Sequence, residues 1–493
     1  GGNYNTVVGD EAGTAITTGD YNTAVGMNAL IATTTAASNT ALGFKALYAN
    51  ITGASNTAVG TNSLDANTTG ASNVAVGQSA LGGNTTASEN TAVGANALAA
   101  NTTGDLNVAI GGNALQSNVA GDRAVAIGYQ ALAVQNPSGN VDTYNVAIGL
   151  NSQSNTTTGV HNVAVGGASL AANTTASNNT AVGTSALGAN TTGSINTAVG
   201  RRSLFSNTTG SSNNAFGVDA LYSNTTGTHN TAIGLDSLFS NTTASNNTAV
   251  GYAALTATTT GGNNVGVGRS AGTAITTGSH NHCFGDYAGE KLTTGSSNVL
   301  IGRLAGAHNI YLATGSNNTL IGALTDTTAA GTDFANVIGY DVSGAGGYTT
   351  VGYSAQDSRL AAGGTTWATI SDERYKKDIV DSTAGLAFIN ALQPRTWKYK
   401  TLGELPETFT AYKEGSTEVF KNTQTNHGFI AQEVKAAIDA DDSIKDGFRL
   451  WDDRDDGSQE VAEAALIPVL VKAIQELSAQ NAALTARIET LEG

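Results

Sequence analysis

The 493-residue sequence is poor in several residue types that enzymes of this length use freely. It has a single cysteine, Cys283, which excludes a disulfide framework and a multi-cysteine metal site. Only 12% of its residues are charged and 6% aromatic, and the net charge is −16 without a basic run, so nucleic acid is not an expected partner. No apolar run approaches the roughly 18 residues of a membrane helix, so we expect no membrane insertion. No cofactor is expected either.

Glycine is abundant, at 61 residues, and it recurs with a fixed spacing. Variants of Asn-Thr-Ala-Val-Gly end at glycines that run from Gly9 to Gly128 and from Gly149 to Gly302 in steps of 17, then at Gly322, Gly339 and Gly352. Seventeen of the twenty intervals equal 17 residues. A period this short is typical of a solenoid with one coil per repeat. We therefore predict a mostly β protein with a β-solenoid (β-roll) rod over residues 1–352.

Each repeat has a regular pattern of side chains. The residue before the glycine is always Val, Ile, Leu or Phe, as at Val25, and we expect it to face the interior. The residue before that is usually Ala, as at Ala24, which indicates close packing. The glycine is expected to allow a sharp bend or a positive φ. Four residues later thirteen repeats carry Leu, as at Leu30, a second inward anchor.

The repeats also contain turn segments such as Asn67-Thr68-Thr69-Gly70, whose residues suit left-handed and Asx-turn geometry. Stacked copies would align the asparagines into ladders of side-chain hydrogen bonds. Disorder is the alternative for a polar, Gly-rich segment, but the strict period argues against it. At about 4.8 Å per coil the rod would be on the order of 100 Å long. One thin coil buries little surface, so we expect several chains to pack together.

The composition changes near residue 360. All three tryptophans and three of the four prolines follow it. We expect a linker over 353–370, a small α+β domain over 371–465 and a coiled coil over 466–493. The heptad a positions of the coiled coil are Ile467, Ile474, Asn481 and Ile488, and the d positions are Leu470, Leu477, Leu484 and Leu491. Ile at a with Leu at d favours two strands rather than three.

Two motifs of the second domain carry chemistry. Residues 371–378 read Ser-Asp-Glu-Arg-Tyr-Lys-Lys-Asp, and 427–434 read His-Gly-Phe-Ile-Ala-Gln-Glu-Val. A serine hydroxyl needs a neighbouring base to act as a nucleophile, and a lysine can serve where burial lowers its pKa. The alternatives are a helix N-cap for Ser371 and a solvated Lys376. A five-membered ring favours attack by Ser371 on the Ile370 carbonyl, but a cut at Ser371–Asp372 stays open.

The paired motifs resemble the intramolecular chaperone domain of phage tail spikes and endosialidases, the S74 peptidase family. The resemblance implies a self-cleaving serine endopeptidase with Ser371 as nucleophile and Lys376 as base, acting once per chain on no external substrate. Supporting roles would fall to Asp372, Arg374, His427, Gln432 and Glu433. The rod repeats resemble the head repeats of trimeric autotransporter adhesins and the shafts of phage tail fibres, which implies a trimer.

These resemblances predict a phage tail fibre or appendage. It would be a homotrimer of the virion tail, assembled in the host cytoplasm, that binds a glycan or protein receptor on the host surface. The first alternative is a bacterial trimeric surface adhesin that keeps an uncleaved trimerisation domain. The second, a tail spike that degrades polysaccharide, would need an aromatic-lined cleft with paired carboxylates, and the rod is poor in both.

A pair of histidines in the rod is a candidate set of metal ligands. His280 and His282 flank Asn281, and alternate residues of a strand face the same way. Three chains around an axis could then offer six imidazoles to a transition metal. The alternative is two exposed polar residues on a coil face, and we assign no metal site.

Overall fold

The structure is a computed structural model, and it describes residues 2–354, 356–365, 367–369, 373, 376–442, 444, 450–453 and 458–492. The chain forms two compact units, residues 1–370 and residues 371–493. In its described part the first unit consists of β-strands and turns, and the α-helices of the described chain lie in the second unit.

Each coil of the first unit contributes a short strand to one long sheet. The strands of this sheet are β1 Thr6–Val8, β2 Thr23–Val25, β3 Thr40–Leu42, β4 Thr57–Val59, β5 Val74–Val76, β6 Thr91–Val93, β7 Val108–Ile110, β9 Val125–Ile127, β11 Val146–Ile148, β12 Val163–Val165, β13 Thr180–Val182, β14 Thr197–Val199, β15 Asn214–Phe216, β16 Thr231–Ile233, β17 Thr248–Val250, β18 Val265–Val267, β19 His282–Phe284, β20 Val299–Ile301, β21 Thr319–Ile321, β23 Asn336–Tyr340, β25 Tyr348–Tyr353, β26 Gln356–Ala361 and β27 Ala368–Thr369. The predicted β-solenoid of 17-residue coils is confirmed.

Strands of successive coils pair in parallel, so equivalent residues lie directly above one another. Ala24 pairs with Ala41, one 17-residue period away. The 21-residue coil keeps this alignment, since Val125 still pairs with Val146. Four shorter strands form two separate parallel pairs: β8 Gly121–Asp122 with β10 Val141–Asp142, and β22 Asp326–Thr327 with β24 Ser343–Gly344.

The interior of the rod is lined by small and medium-sized side chains. The middle residue of each strand is Ala in most coils, and it is fully buried together with the Leu anchor, as at Ala41 and Leu47. The predicted inward position of the residue before the glycine is wrong. Successive strand residues point to opposite faces, and Ala41 takes the inward position of β3. Thr40 and Leu42 therefore point outward, and Leu42 is 46% exposed.

The motif glycine meets two requirements that other residues do not. From Gly9 to Gly339 its φ lies between +124° and +147°, where side chains other than hydrogen are strained. A Cβ added to Gly166 would also lie 2.6 Å from the carbonyl carbon and oxygen of Gly183 in the next coil. The predicted positive φ is confirmed, and the close approach of the stacked backbones is a second reason for glycine.

The residues with a left-handed backbone conformation do not lie in the turn segment where the sequence predicts them. In one coil they are Asn62, Leu64 and Ser72, with φ of 54°, 50° and 57°. The segment 67–70 contributes none of them; instead the side-chain amide of Asn67 donates to the Gly70 carbonyl at 2.9 Å. Leu64 is fully buried, so the burial of its side chain offsets the strain of a left-handed leucine.

Buried asparagines form two columns of hydrogen bonds along the rod, as predicted. In the first column, the backbone N–H of Asn56 donates to Asn39 Oδ1 at 2.9 Å, and Asn56 Nδ2 donates to the Gly70 carbonyl at 2.8 Å. In the second column, Asn67 Nδ2 donates to Asn50 Oδ1 at 2.9 Å. These bonds satisfy amides that are fully buried.

The end of the rod differs from the expected linker over 353–370. Strand β26 pairs antiparallel with β25, and β27 pairs antiparallel with β26. The segment is rich in Gly, Ala and Thr, so it lacks the apolar alternation that would predict a strand. The edge of a parallel sheet offers unpaired backbone groups to any following chain, and β26 and β27 cover that edge.

The second unit combines a small α+β arrangement with a long C-terminal helix. Its elements are α1 Leu386–Ala391, β28 Arg395–Trp397, a 3₁₀ turn at Leu402–Glu404, β29 Asn426–Gly428, α2 Ala431–Asp439, β30 Trp451–Asp453, β31 Gln459–Val461, a 3₁₀ turn at Glu463–Ala465 and α3 Leu466–Glu492. Strand β28 pairs antiparallel with β29, and β30 with β31. Its core consists of Ala384, Phe388, Leu392, Val434, Ile438, Ile444, Leu450, Leu466 and Val469.

Replacing Gly166 by Ala should destabilise the rod, whereas the same change at Gly167 should not. At Gly166 the new Cβ combines an unfavourable φ of +133° with the 2.6 Å approach to Gly183, an expected loss of about 1–3 kcal/mol in the free energy of unfolding. Gly167 has no positive φ, and its added Cβ would lie 4.0 Å from the nearest atom, Leu150 O. Urea unfolding followed by circular dichroism compares the two variants, and equal midpoints would contradict the stacking argument.

Candidate functional site

The predicted cleavage site coincides with the sequence boundary between the two units. Ser371, Asp372 and Arg374 lie outside the described residues. Ile370 does as well, so both candidate scissile bonds fall in this part of the chain. The compact units are divided between residues 370 and 371. A cut at either bond would therefore separate the rod from essentially the whole second unit.

The predicted base, Lys376, lies within the described part of the chain. Its side chain is exposed, and its backbone N–H donates to the carbonyl of Glu373 at 2.9 Å. The pairing of Ser371 with Lys376 stays a prediction.

The second motif is divided between a strand and a helix. His427 is the middle residue of β29, where it pairs with Thr396 of β28, and it is exposed. Gln432 and Glu433 lie in the first turn of α2, while Val434 points into the core of the unit. Three of the predicted supporting residues, His427, Gln432 and Glu433, therefore lie in one region, where β29 is followed directly by α2.

Glu433 is held by Arg395, a residue of β28 that no sequence motif indicates. The Arg395 guanidinium donates from Nε and Nη2 to the two carboxylate oxygens, at 2.9 and 2.8 Å. These hydrogen bonds hold the pKa of Glu433 below its usual value and raise the pKa of Arg395. Glu433 is therefore ionised, and its ion pair with Arg395 links α2 to β28. The pair lines a cavity of about 340 Å³ together with Ala391, Gln393, Ala436 and Ala437.

The match to known families covers this region. Residues 371–442 match the family described as chaperone of endosialidase, peptidase S74. The match begins at Ser371 and includes both motifs, so the resemblance predicted from them is confirmed for this segment. No curated protein and no solved structure matches the chain significantly.

The long helix that follows the S74 segment has two apolar faces. Leu466, Val469 and Ala473 are buried in the second unit, and Glu476 Oε2 accepts a hydrogen bond at 2.8 Å from the backbone N–H of Leu386, at the start of α1. The heptad a and d residues lie on the adjacent face and are exposed; among them are Ile467, Leu470, Ile474, Leu477, Leu484, Ile488 and Leu491.

None of the helices in the described ranges combines the length and hydropathy required to cross a bilayer.

The rod that precedes the S74 segment presents a continuous apolar stripe to its surroundings. The third residue of each strand points outward, and the parallel register places these residues above one another from Val8 to Ile321. Several of the largest are more than one-third exposed, including Leu42, Ile110, Ile148, Phe216, Ile233, Phe284, Ile301 and Ile321. In these described three-residue strands, neither outward position carries Asp, Glu, Lys or Arg.

The histidine pair does not form a metal site within one chain. His280 has a φ of 61° at a corner of its coil, and His282 points outward from β19; both are exposed. Among the residues that the structure describes, no three His, Cys, Asp or Glu side chains form a group suited to a metal. Cys283, the next residue, is fully buried.

Cys283 should be unreactive in the folded rod, because burial raises the pKa of its thiol to about 12. At pH 8 the thiol then stays protonated, and a maleimide should modify the native chain far more slowly than the chain unfolded in guanidinium. Intact mass reports the reaction, because the chain has one cysteine.

The matched control is the double variant Cys283→Ala/Thr277→Cys. It moves the single thiol to the surface of the same region, because Thr277 is exposed. This control should react rapidly in the native state. Rapid modification of the native wild-type chain would show that the coil around Cys283 is open.

Proposed function

We propose that this protein is a phage tail fibre whose second unit assembles three chains and then removes itself by self-cleavage. The match of residues 371–442 to the endosialidase-chaperone family carries the proposal. Its position directly after a solenoid rod supports it, because a long rod of thin coils needs help to align with its partner chains. The assembled rod would belong to the virion tail, form in the host cytoplasm and bind a glycan or protein receptor on the host surface.

The apolar stripe of the rod supports assembly of several chains. About 20 three-residue strands at roughly 4.8 Å spacing and 3.3 Å per residue give an outward sheet face of about 1,000 Å². A stable interface needs about 800 Å² from each partner, so the strand face is large enough to hold rods together side by side.

The C-terminal helix supports assembly at the other end of the chain. Its a and d residues are exposed, with Ile474 at 65%, although the neighbouring face of α3 is packed on its own unit. A coiled coil between copies would cover this face. The heptads by themselves favour two strands, and the number three in the proposal comes from the chaperone family.

The proposed cleavage needs only groups of this chain and one water molecule. Lys376 takes the proton of the Ser371 hydroxyl, and Oγ bonds to the carbonyl carbon of Ile370. The Ile370–Ser371 C–N bond breaks as the Ser371 nitrogen accepts a proton. Water then hydrolyses the resulting ester, which leaves a carboxyl on Ile370 and restores the hydroxyl. Attack from another chain on the Ser371–Asp372 bond is the second option.

Assembly would also control when the cut occurs. A lysine serves as a base when it is shielded from water, whereas Lys376 is exposed in the single chain. We therefore expect neighbouring chains to cover it, so that cleavage follows assembly. Once the second unit has left, the rod would lack its folding template and persist because unfolding is slow.

Substitution of either dyad residue should abolish cleavage. The wild-type chain should give a fragment that begins at Ser371 or Asp372, whereas Ser371→Ala and Lys376→Ala should stay full length. Lys377→Ala is the matched control, because Lys377 is the adjacent lysine and is also exposed. A denaturing gel with intact mass spectrometry measures the outcome, and the two possible fragments differ by one serine residue.

Two results would contradict the self-cleavage proposal. Full-length wild-type protein would leave the second unit as a permanent assembly domain, which the adhesin alternative requires. Cleavage that persists in Lys376→Ala but stops in Ser371→Ala would keep the nucleophile and exclude the proposed base.

Charges on the apolar stripe should prevent assembly without unfolding the coil. In the double variant Phe216→Asp/Ile233→Asp, both new carboxylates replace outward residues of neighbouring coils, so they would be buried between chains. The control is Thr209→Asp/Thr226→Asp, which adds the same charge at exposed turn positions of neighbouring coils. Sedimentation velocity should show trimers for the control and smaller species for the stripe variant, with equal circular dichroism. Trimers of both variants would exclude the stripe as the interface.

A further inference from the structure

Among the coils that begin at the motif glycines from Gly26 to Gly251, one departs from the others in its inward anchor. In thirteen coils that position holds a fully buried leucine, at Leu30, Leu47, Leu64, Leu81, Leu98, Leu115, Leu132, Leu170, Leu187, Leu204, Leu221, Leu238 and Leu255. Between Leu132 and Leu170 the same position is Gln153, which is also fully buried. Its φ of 50° lies within the range of 50° to 54° of the leucines, so the backbone continues while the side chain changes from apolar to polar.

The amide of Gln153 is only partly satisfied inside the rod. Its Nε2 donates to the carbonyl of Val146 at 2.9 Å and to that of Asn162 at 3.3 Å. Within the described residues its Oε1 is buried without a hydrogen-bond partner. A buried acceptor without a partner is unfavourable compared with the same atom in water. In this coil the apolar contact of a leucine anchor is therefore replaced by two hydrogen bonds that leave one buried acceptor without a partner among the described residues.

The two asparagine columns change one coil earlier, in the coil that carries Leu132. The first asparagine column is interrupted at Ala124, and the second carries Gln135 in place of Asn. Asn145 Nδ2 donates to Gln135 Oε1 at 2.7 Å, which joins the two columns across the coil. The 21-residue coil lies here as well, between Gly128 and Gly149.

The buried apolar residues of the rod fall into two groups that meet at this coil. The first group runs from Ala12 to Ala147 and the second from Ala164 to Val342. Gln153 lies between them, where the column of leucine anchors is broken. In a solenoid each coil contacts only its neighbours, so one weakened coil-to-coil contact limits how far unfolding spreads.

We propose that the polar coil around Gln153 divides the rod into two blocks that fold and unfold separately. Residues up to about 147 form the first block and residues from about 164 form the second. The inference concerns the rod alone and does not depend on the proposed self-cleavage. Its simplest rival is a rod that unfolds as one cooperative unit along its whole length.

Hydrogen exchange of the full chain, followed by mass spectrometry at increasing urea, tests the division. Peptides from 12–147 should share one urea dependence, peptides from 164–342 another, and those from 148–163 should exchange fastest among the interior coils. Gln153→Leu restores the anchor column, so it should slow exchange at 148–163 by about tenfold or more and give the two blocks a common urea dependence. Gln153→Met supplies an apolar side chain of the same length if leucine does not fit.

The matched control creates the same defect where the column is intact. Leu187→Gln lies inside the second block, and it should divide that block at residue 187 while leaving the first block unchanged. A wild-type rod whose blocks share one urea dependence would overturn the proposal. So would fast exchange at 148–163 that neither Gln153→Leu nor Gln153→Met alters.

Discussion

The stacking of successive coils at the spacing of β-strands is the interaction on which the rod depends. Parallel pairing repeats every coil at about 4.8 Å, so each inward position becomes a column of nearly identical residues. At the motif glycine the stacked backbones approach too closely for a Cβ, as between Gly166 and Gly183. At the ladder positions the same spacing brings each buried amide to its neighbour, as from Asn67 to Asn50. Glycine and asparagine are therefore required by distance as well as by turn conformation.

The narrow interior also explains why larger apolar residues lie on the surface of the rod. Three-residue strands provide one inward position each, and that position holds alanine in most coils. Larger apolar residues such as Leu42 and Phe216 are left outside, where they lie in line. In the proposed assembly, packing against other chains would remove these residues from water and stabilise the rod further. In so narrow an interior, Gln153 takes the place of the leucine anchor of its coil.

The second unit is built differently from the rod. It has an apolar core of its own, and it turns one face of α3 inward through Leu466, Val469 and Ala473 while the heptad face stays exposed. A domain that is folded but presents an unpaired helix face suits the assembly of copies. The chaperone-family match falls on this unit, and the sequence boundary at residue 370 would allow it to leave as a whole.

The sequence by itself determined the features that depend on local or periodic constraints. The 17-residue period predicted the solenoid, the invariant glycine predicted a positive φ, and the repeated asparagines predicted the ladders. The paired motifs predicted the family of the second unit. Tertiary structure decided which way side chains face and which distant residues meet. Ala41 rather than Leu42 points inward because a thin coil has room for little else, and an apolar pattern alone does not separate a core from an interface. Arg395 meets Glu433 only because β28 pairs with β29, and β26 and β27 form because an open sheet edge lies beside them.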